Sequence, residues 1–353
     1  MASVRELMKG EKGYYPEIWE EIAKLGWLGL AFPPDYGGAG GSYLDLLVLI
    51  EEMGRVVFPG PFFSTVILGG LPILIAGNEN QKKKFLPSIS KGELLATLAI
   101  AEEDVSFDSS GINMKATPDK DGFILSGTKL FVPEANLADL IICAARTNPA
   151  QETDDGITLF LVYSKRECIE CTVLKPWDGS KQCKVVFHEV KVPASDVLGT
   201  VDKGWGALKR ILQFATVAKC AEMLGSAELV LAMTVQYSRD RVQFDKAIGS
   251  FQVQQQRCAD MFIDVDGMRL TTYQAGWMLN EDIPCTKEVA IAKAWASEAL
   301  KRVVLAGLRL HGATGFMNDH DISVHYRKAC ASEFYFGDAN FHKDIICQEL
   351  NIG

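Results

Sequence analysis

The chain has 353 residues, 48% of them hydrophobic and 23% charged, a composition typical of a folded globular protein rather than an extensively disordered one. Its length exceeds the ~250–300 residues at which single cores stop growing, so we expect two or three domains. Lys and Arg number 36 against 45 Asp and Glu, a formal net charge of −9 without any long basic block, which disfavours nucleic acid as the main partner.

The N-terminal sequence MASVRELMKGEKGYY lacks the basic start and apolar run of a secretory signal. No apolar stretch reaches the ~20 residues that span a bilayer, so we predict a cytoplasmic protein without a membrane span. The nine cysteines are expected to be reduced and buried as small hydrophobes. Cys168 and Cys171 form one CxxC pair, but no second pair or nearby histidine stands at ligand spacing, so we predict no metal or redox site there.

Residues 1–92 are predicted to form an N-terminal helical domain. Helical spacing of apolar residues is clearest at Ile18, Trp19, Ile22 and Leu25. Leu44 to Met53 and Leu68 to Ala76 also have a helical pattern. The glycine-rich run from Pro33 to Gly41 lacks the preceding strand and following Lys-Ser/Thr of a phosphate-binding loop, so we interpret it as a turn between helices.

Residues 93–198 are predicted to form a middle β domain, a small barrel or sandwich. Short apolar runs separated by Gly and Asp-rich turns are typical of strands, and they fall at residues 122–127, 140–145, 157–162 and 184–187.

Residues 199–353 are predicted to form a C-terminal helical bundle. Long helices are expected from Ala207 to Asp240, from Gln252 to Asn280 and from Thr286 to Gly312, with another near the C-terminus. Thr286, which follows Pro284, is a candidate N-cap.

The segment from Tyr237 to Met261 contains an Arg, two residues, Phe, a small residue, two more, Ile and then Phe-Gln. These positions are Arg241, Phe244, Asp245, Ile248, Phe251 and Gln252. With collinear landmarks such as Leu25-Gly-Trp-Leu-Gly-Leu, Lys203-Gly-Trp and Leu310-His-Gly-Ala-Thr-Gly-Phe, the chain resembles the acyl-CoA dehydrogenase family over nearly its whole length. The resemblance implies an α+β multidomain fold with an N-terminal helical domain, a middle β-barrel or sandwich domain and a C-terminal four-helix bundle.

The resemblance further implies an FAD site that is completed by a neighbouring subunit. Arg241 would meet the flavin pyrophosphate, because a guanidinium stays charged and can grip two phosphate oxygens. Phe244 and Gln252 would join it, together with a turn in which Gly312 and Gly315 let the backbone approach the cofactor. Arg309 stands where the family has a Gln. Its positive charge would suit a nearby diphosphate, and it would equally suit the dipole at the C-terminal end of a helix.

The middle domain would supply the walls and donors around the flavin ring. Ala101 falls where the family has the Thr of a Thr-Glu-Pro core, so the hydroxyl is lost. Phe131 and Val132 belong to the counterpart of a Lys-x-Trp-Ile-Thr pattern, and Pro133 there offers neither a hydroxyl nor a backbone N–H. Further flavin contacts are expected from Asp338 and Asn340.

The reaction of the family requires a carboxylate to remove the α-proton of the acyl-CoA thioester, ideally a half-buried one. In many members it is the Glu of Tyr-Glu-Gly-Thr, and Phe336 stands at that position here. Other members place it ahead of an Ala-Glu-x-x-Gly stretch, at the position of Ala215. The remaining acids that could serve are Glu333, Asp338, Asp104 and Glu134.

Three explanations of the missing base stay open. Another acid acts, or a partner chain in a heteromeric dehydrogenase supplies the base, or a proton leaves another carbon of a cyclic or unsaturated acyl group. The expected activity is FAD-dependent acyl-CoA dehydrogenation with electrons passed to an electron-transfer flavoprotein. The alternative is a base-deficient or non-catalytic subunit of a heteromeric complex. Either way we expect a homo- or hetero-oligomer, following the dimer of dimers that is usual in the family.

Overall fold

The computed structural model describes residues 2–10, 12–104, 106–148 and 154–352. Val105, which belongs to the first predicted flavin-side stretch, lies outside the described residues. The chain forms two compact units. One comprises Met1–Glu6, Ser42–Phe58 and Gln213–Gly353, and the other comprises Leu7–Gly41 and Pro59–Leu212. The domain boundaries at 92/93 and 198/199 stay a prediction.

The second unit begins with helical segments. Helix α1 is Ala2–Lys9, starting in the first unit, and α2 is Pro16–Lys24. A π-helix, Phe63–Gly70, runs into α4, Leu71–Ala76, and α5 is Glu79–Ser90. The predicted apolar face of α2 is only half right: Trp19 and Ile22 are buried, whereas Ile18 is exposed and Leu25, just past the end of the helix, is exposed too. The glycine-rich run after Pro33 is a turn, as predicted: Pro34–Tyr36 is a 3-10 turn, and Gly37 N–H donates to Pro34 O at 2.9 Å.

The sheet of this unit has eight strands, in the order β6-β7-β3-β2-β4-β5-β8, with β1 parallel to β4. Their bounds are β1 Ala96–Ala99, β2 Lys115–Asp119, β3 Gly122–Pro133, β4 Leu140–Arg146, β5 Ile157–Tyr163, β6 Ile169–Val173, β7 Gln182–Pro193 and β8 Val197–Leu198. All seven residues of β4 are buried, as in a strand covered on both faces. Strand β3 carries two register shifts against β7, and the second lies between Lys129 and Val132.

The first unit is a helical bundle. It contains α3 Tyr43–Arg55, α7 Gln252–Asn280, α8 Thr286–His311, α9 Asp321–Ser332, α10 Ala339–Glu349 and most of α6 Gly204–Asp240. The α+β class is thus confirmed, and the three long predicted helices occur within a few residues of their expected ends. Thr286 is not the N-cap: Cys285 occupies that position, and Thr286 is the first helical residue, whose hydroxyl accepts from Gln213 Nε2 at 3.2 Å.

Helix α3 crosses α6 at very short range. A Cβ built on Gly54 would overlap the carbonyl oxygen of Glu222, and one built on Gly225 would overlap that of Glu51. Two glycines therefore allow the backbones to touch, and the carboxylate of Glu51 then reaches the hydroxyl of Tyr273 on α7, which donates at 2.5 Å.

The nine cysteines are all free thiols. Four of them are buried as expected: Cys143, Cys183, Cys220 and Cys285. The expectation is wrong for Cys171 and Cys347, which are exposed because they lie on a peripheral strand and on the last helix. Among the described residues, no helix is both long and apolar enough to cross a membrane.

A buried histidine contributes a pH-dependent term to the stability of the bundle. His325 on α9 is fully buried, with its Nδ1 2.6 Å from Ser226 Oγ on α6. Burial lowers the pKa of His325 to about 4, below the ordinary value of 6.5. As the pH falls from 6.5 towards 4, the unfolded chain takes up a proton that the folded chain refuses, so stability present above pH 6.5 is lost at about 1.4 kcal/mol per pH unit.

We therefore expect His325→Gln to weaken the acid dependence of unfolding. Urea titrations at pH 7.5, 5.5 and 4.5 would measure the free energy of unfolding of each variant. His188→Gln is the matched control, because the side chain of His188 is 60% exposed. An identical pH slope in wild type and His325→Gln would contradict this role of His325.

Candidate active site

A two-residue hairpin follows the end of α6. Strands β9 (Val242–Gln243) and β10 (Lys246–Ala247) pair antiparallel, leaving Phe244 and Asp245 as the loop with φ +56° and +60°. Positive φ at both loop residues is the signature of a type I′ turn, which glycine and asparagine usually occupy. The phenylalanine adopts it at a cost and is displayed outward, 87% exposed.

Arg241 stands directly before this hairpin. Its carbonyl oxygen accepts from Ile248 N–H at 2.8 Å, which closes the segment. Within the described part of the chain its guanidinium has no hydrogen-bond or ion-pair partner, and the same holds for the exposed Arg309 on α8. The ring of Tyr237 on α6 stacks on His311 at 4.3 Å between centroids, so the C-terminal ends of α6 and α8 are neighbours. The structure therefore brings both arginines to one end of the bundle.

The predicted glycine turn follows α8 at this same end. It is the 3-10 segment Gly312–Phe316, in which Gly312 has φ +63° and no atom lies within 4 Å of a Cβ built on it. A ligand could therefore approach the Gly312 backbone closely. Gly315 is buried instead, against Leu308. Gln252 is exposed as the first residue of α7.

The two predicted flavin-side stretches are bonded side by side in the other unit. Leu130 N–H donates to Ala101 O at 2.8 Å. Lys129, with no exposed surface, donates from Nζ to Ile100 O at 3.0 Å and to Glu102 Oε1 at 2.6 Å. The Glu102 carboxylate also accepts from Met114 N–H at 3.0 Å. Sequence reasoning missed the Glu102–Lys129 ion pair, although both residues lie inside the stretches that it singled out.

Phe131 occupies the register shift of β3 beside this ion pair. Its φ is +52° and its side chain is 50% exposed, so the ring lies on the surface. Val132 points the other way, 1% exposed and paired with Cys183, which leaves only its backbone for a ligand. The carbonyl oxygen of Pro133 is taken by Thr97 Oγ1 at 2.6 Å. Ala101 is half-buried and offers no side-chain donor.

The segment between α9 and α10 contains the position predicted for the base. Phe336 is half-buried with φ +59°, and it is followed by Gly337 with φ +97°. A Cβ on Gly337 would overlap the ring of Phe341, so this turn requires glycine there. Phe334 is 64% exposed. Ala215, the other position predicted for the base, is fully buried in α6.

Two of the four alternative carboxylates, Glu333 and Asp338, are engaged in other contacts. Glu333 forms an ion pair with Lys301 at 2.5 Å. Asp338 is the N-cap of α10 and accepts from Phe341 N–H at 2.8 Å. Glu134 is half-buried with φ +47°, and Asp104 is exposed. Asn340 is exposed in the first turn of α10. Within the described ranges, no three His, Cys, Asp or Glu side chains are placed to hold a metal ion.

Comparison with known proteins gives collinear matches along the whole chain. The N-terminal, middle and C-terminal domain families of acyl-CoA dehydrogenases match residues 2–93, 97–190 and 202–351. A short-chain specific acyl-CoA dehydrogenase of Megasphaera elsdenii is 32% identical over 344 residues, which cover 93% of this chain and 88% of that protein. A 3-(aryl)acrylate reductase of Clostridium sporogenes is 30% identical over 341 residues, with coverage of 95% and 90%.

A solved complex is similarly close in structure. The crystal structure of the ChsE4-ChsE5 complex from Mycobacterium tuberculosis matches with a TM-score of 0.89 and 30% identity, covering 98% of this chain and 91% of that chain.

Proposed function

Because the chain belongs to the acyl-CoA dehydrogenase family of FAD-containing oxidoreductases, we propose that it dehydrogenates an acyl-CoA thioester as one subunit of a hetero-oligomer. In this proposal a partner chain supplies the carboxylate that removes the α-proton. The observation that carries the proposal is Phe336, which stands at the usual position of the base, while the Arg241 guanidinium has no partner among the residues that the structure describes. The chain keeps Arg241, which would act on a neighbour's flavin, and lacks a carboxylate at position 336. This combination suits an active site to which two different chains contribute residues.

The residues present fit FAD well at the diphosphate end. Arg241 and Arg309 are two cations at one end of the bundle without an ion-pair partner in the described ranges, and the open backbone at Gly312 can approach phosphate oxygens. Charge-assisted bonds from these groups would hold the diphosphate and fix its orientation. Phe244 and Gln252, both exposed beside them, would cover the cofactor from the same side.

The ring end fits with fewer donors. FAD, when bound, accepts the hydride that leaves the β-carbon of the acyl group. Phe131 would lie against the ring as an apolar wall, and the Val132 backbone would face its edge. Ala101 and Pro133 contribute no hydroxyl or N–H there. The Glu102–Lys129 ion pair would keep both wall segments in place and exclude water behind them.

A second candidate is dehydrogenation or reduction at another position of a cyclic or unsaturated acyl group. The exposed ring of Phe334 and the half-buried ring of Phe336 favour an apolar, bulky acyl chain. The 30% identical 3-(aryl)acrylate reductase acts, by its name, on an unsaturated aryl acid. In this reading both phenylalanines are walls for a ring rather than replacements for a base.

The remaining partners follow from the same proposal. Electrons would leave to an electron-transfer flavoprotein, and the assembly would be a dimer of dimers located in the cytoplasm. The ChsE4-ChsE5 complex is, by its name, an assembly of two different chains, and it matches this chain in structure at a TM-score of 0.89.

Purification of the complex from its host tests the proposal directly. Absorbance would report flavin occupancy, native mass spectrometry would report an unlike partner chain, and acyl-CoA thioesters would be added to observe bleaching. We expect bound flavin, an unlike partner chain, and bleaching by at least one thioester among linear, branched, aromatic and alicyclic ones. A homo-oligomer that bleaches fully with an acyl-CoA would overturn the shared-site proposal.

A further inference from the structure

The segment from Glu333 to Gly337 is held by a lysine that has no exposed surface. Lys293 lies on α8, and its Nζ donates to Glu333 O at 2.9 Å, to Gly337 O at 2.8 Å and to Ser297 Oγ at 2.8 Å. All three ammonium protons are thereby used. The two carbonyls are the end of α9 and the residue before the N-cap of α10, so one side chain fastens both ends of the connection.

A histidine holds the carbonyl between those two. His342 on α10 is 4% exposed, and its Nε2 lies 2.9 Å from Phe336 O. Because a carbonyl oxygen can only accept, Nε2 carries the proton, and Nδ1 has no partner within the described chain. Burial, together with the nearby Lys293 ammonium, lowers the pKa of His342 to about 4, which keeps the ring neutral at physiological pH.

This arrangement is costly for a simple connection between helices. Burial lowers the pKa of Lys293 to about 8, which shows that the buried ammonium is disfavoured. Phe336 is in addition a bulky residue at φ +59°, a backbone state that persists only where the surroundings enforce it. An ordinary glycine-terminated helix end would satisfy the same carbonyls without a buried charge.

We propose that Lys293 and His342 are positioning residues that fix the backbone of residue 336, so that whatever side chain stands there is presented to the acyl group in one orientation. The inference rests on the proposed function, in which residue 336 borders the acyl site. It assigns these two side chains a task in ordering the site rather than in contacting the substrate.

Fluorine NMR tests the positioning without requiring activity. With 4-fluorophenylalanine incorporated at position 336 of the full-length protein, we expect one narrow resonance. Lys293→Met should split or broaden it, because the carbonyls of Glu333 and Gly337 lose their shared donor. Lys287→Met is the control, since Lys287 lies on the same helix, is 43% exposed and forms an ion pair with its sequence neighbour Glu288. An unchanged single resonance in Lys293→Met would overturn the proposal.

Separate measurement of kcat and KM distinguishes a positioning role of Lys293 from a role in the stability of the fold. In a Phe336→Glu background, Lys293→Met should lower kcat at least about tenfold with KM and flavin content little changed, because a misplaced base slows proton removal. A lysine that only stabilises the fold would lower Tm and leave kcat per flavin unaltered well below Tm, and that result would overturn the proposal. If Phe336→Glu is inert but the NMR result holds, the positioning stands and the assignment of position 336 to the acyl site fails.

Discussion

Phe336→Glu is expected to give the purified chain a flavin reduction by simple linear acyl-CoA thioesters that is about 10²–10⁴-fold faster than in the unsubstituted chain. The reason is that the connection from α9 to α10 already holds residue 336 in a fixed backbone conformation, with its carbonyl oxygen accepting from His342. A carboxylate at this half-buried position would have its pKa raised by desolvation, which suits proton abstraction near neutral pH.

Stopped-flow absorbance of the bound flavin measures the effect. Phe336→Gln is the matched control, since glutamine is close to glutamate in size and shape but has no carboxylate to act as a base. Thioester binding would be measured separately by calorimetry for both variants. If both bind the thioester and Phe336→Glu bleaches no faster than Phe336→Gln, then residue 336 does not border the reacting carbon.

Arg241→Gln is expected to raise the dissociation constant for FAD by about ten- to a hundredfold. A hydrogen bond to a charged group contributes about 1.5–3 kcal/mol, and the Arg241 guanidinium has no contact within the described chain that the substitution would break. The folded chain should therefore keep its Tm while its affinity for the diphosphate falls. The dissociation constant of Arg241→Lys should lie between those of the unsubstituted protein and Arg241→Gln, because lysine keeps the charge but lacks the planar guanidinium.

Titration of the flavin-free complex with FAD, followed by flavin fluorescence, gives the dissociation constants. Arg239→Gln is the control: Arg239 lies two residues earlier in α6, is also exposed and belongs to no predicted site. Equal dissociation constants for Arg241→Gln, Arg239→Gln and the unsubstituted protein would show that Arg241 does not contact the cofactor.

Long-range packing accounts for what the sequence could not predict. Helices α6 to α8 follow from apolar periodicity interrupted by Gly and Pro, which is a local signal. The hairpin at Phe244 and Asp245 lacks the Asn-Gly or Asp-Gly pair that usually marks such turns. The π-helix from Phe63 to Gly70 has no sequence signature either.

The sequence predicts which residue types stand at the site, but not which of them are buried or in contact. The replacement of the usual base by Phe336 is visible in one motif. The burial of Lys129 and Lys293 could not be predicted, because lysines are almost always exposed. Each buried ammonium depends on acceptors that are distant in sequence. Glu102 is the acceptor for Lys129, and the carbonyls of Glu333 and Gly337 are the acceptors for Lys293. Exposure of Arg241 and Phe244 likewise depends on how the bundle ends.

The crossing at Gly54 and Gly225 has a consequence for the nascent chain. Helix α3 buries Leu46, Leu47 and Ile50 within a bundle whose other helices are made only after every strand of the sheet has been synthesised. During that interval its apolar side chains lack their final neighbours, so this helix can complete its packing only after α6 and α7 have been synthesised.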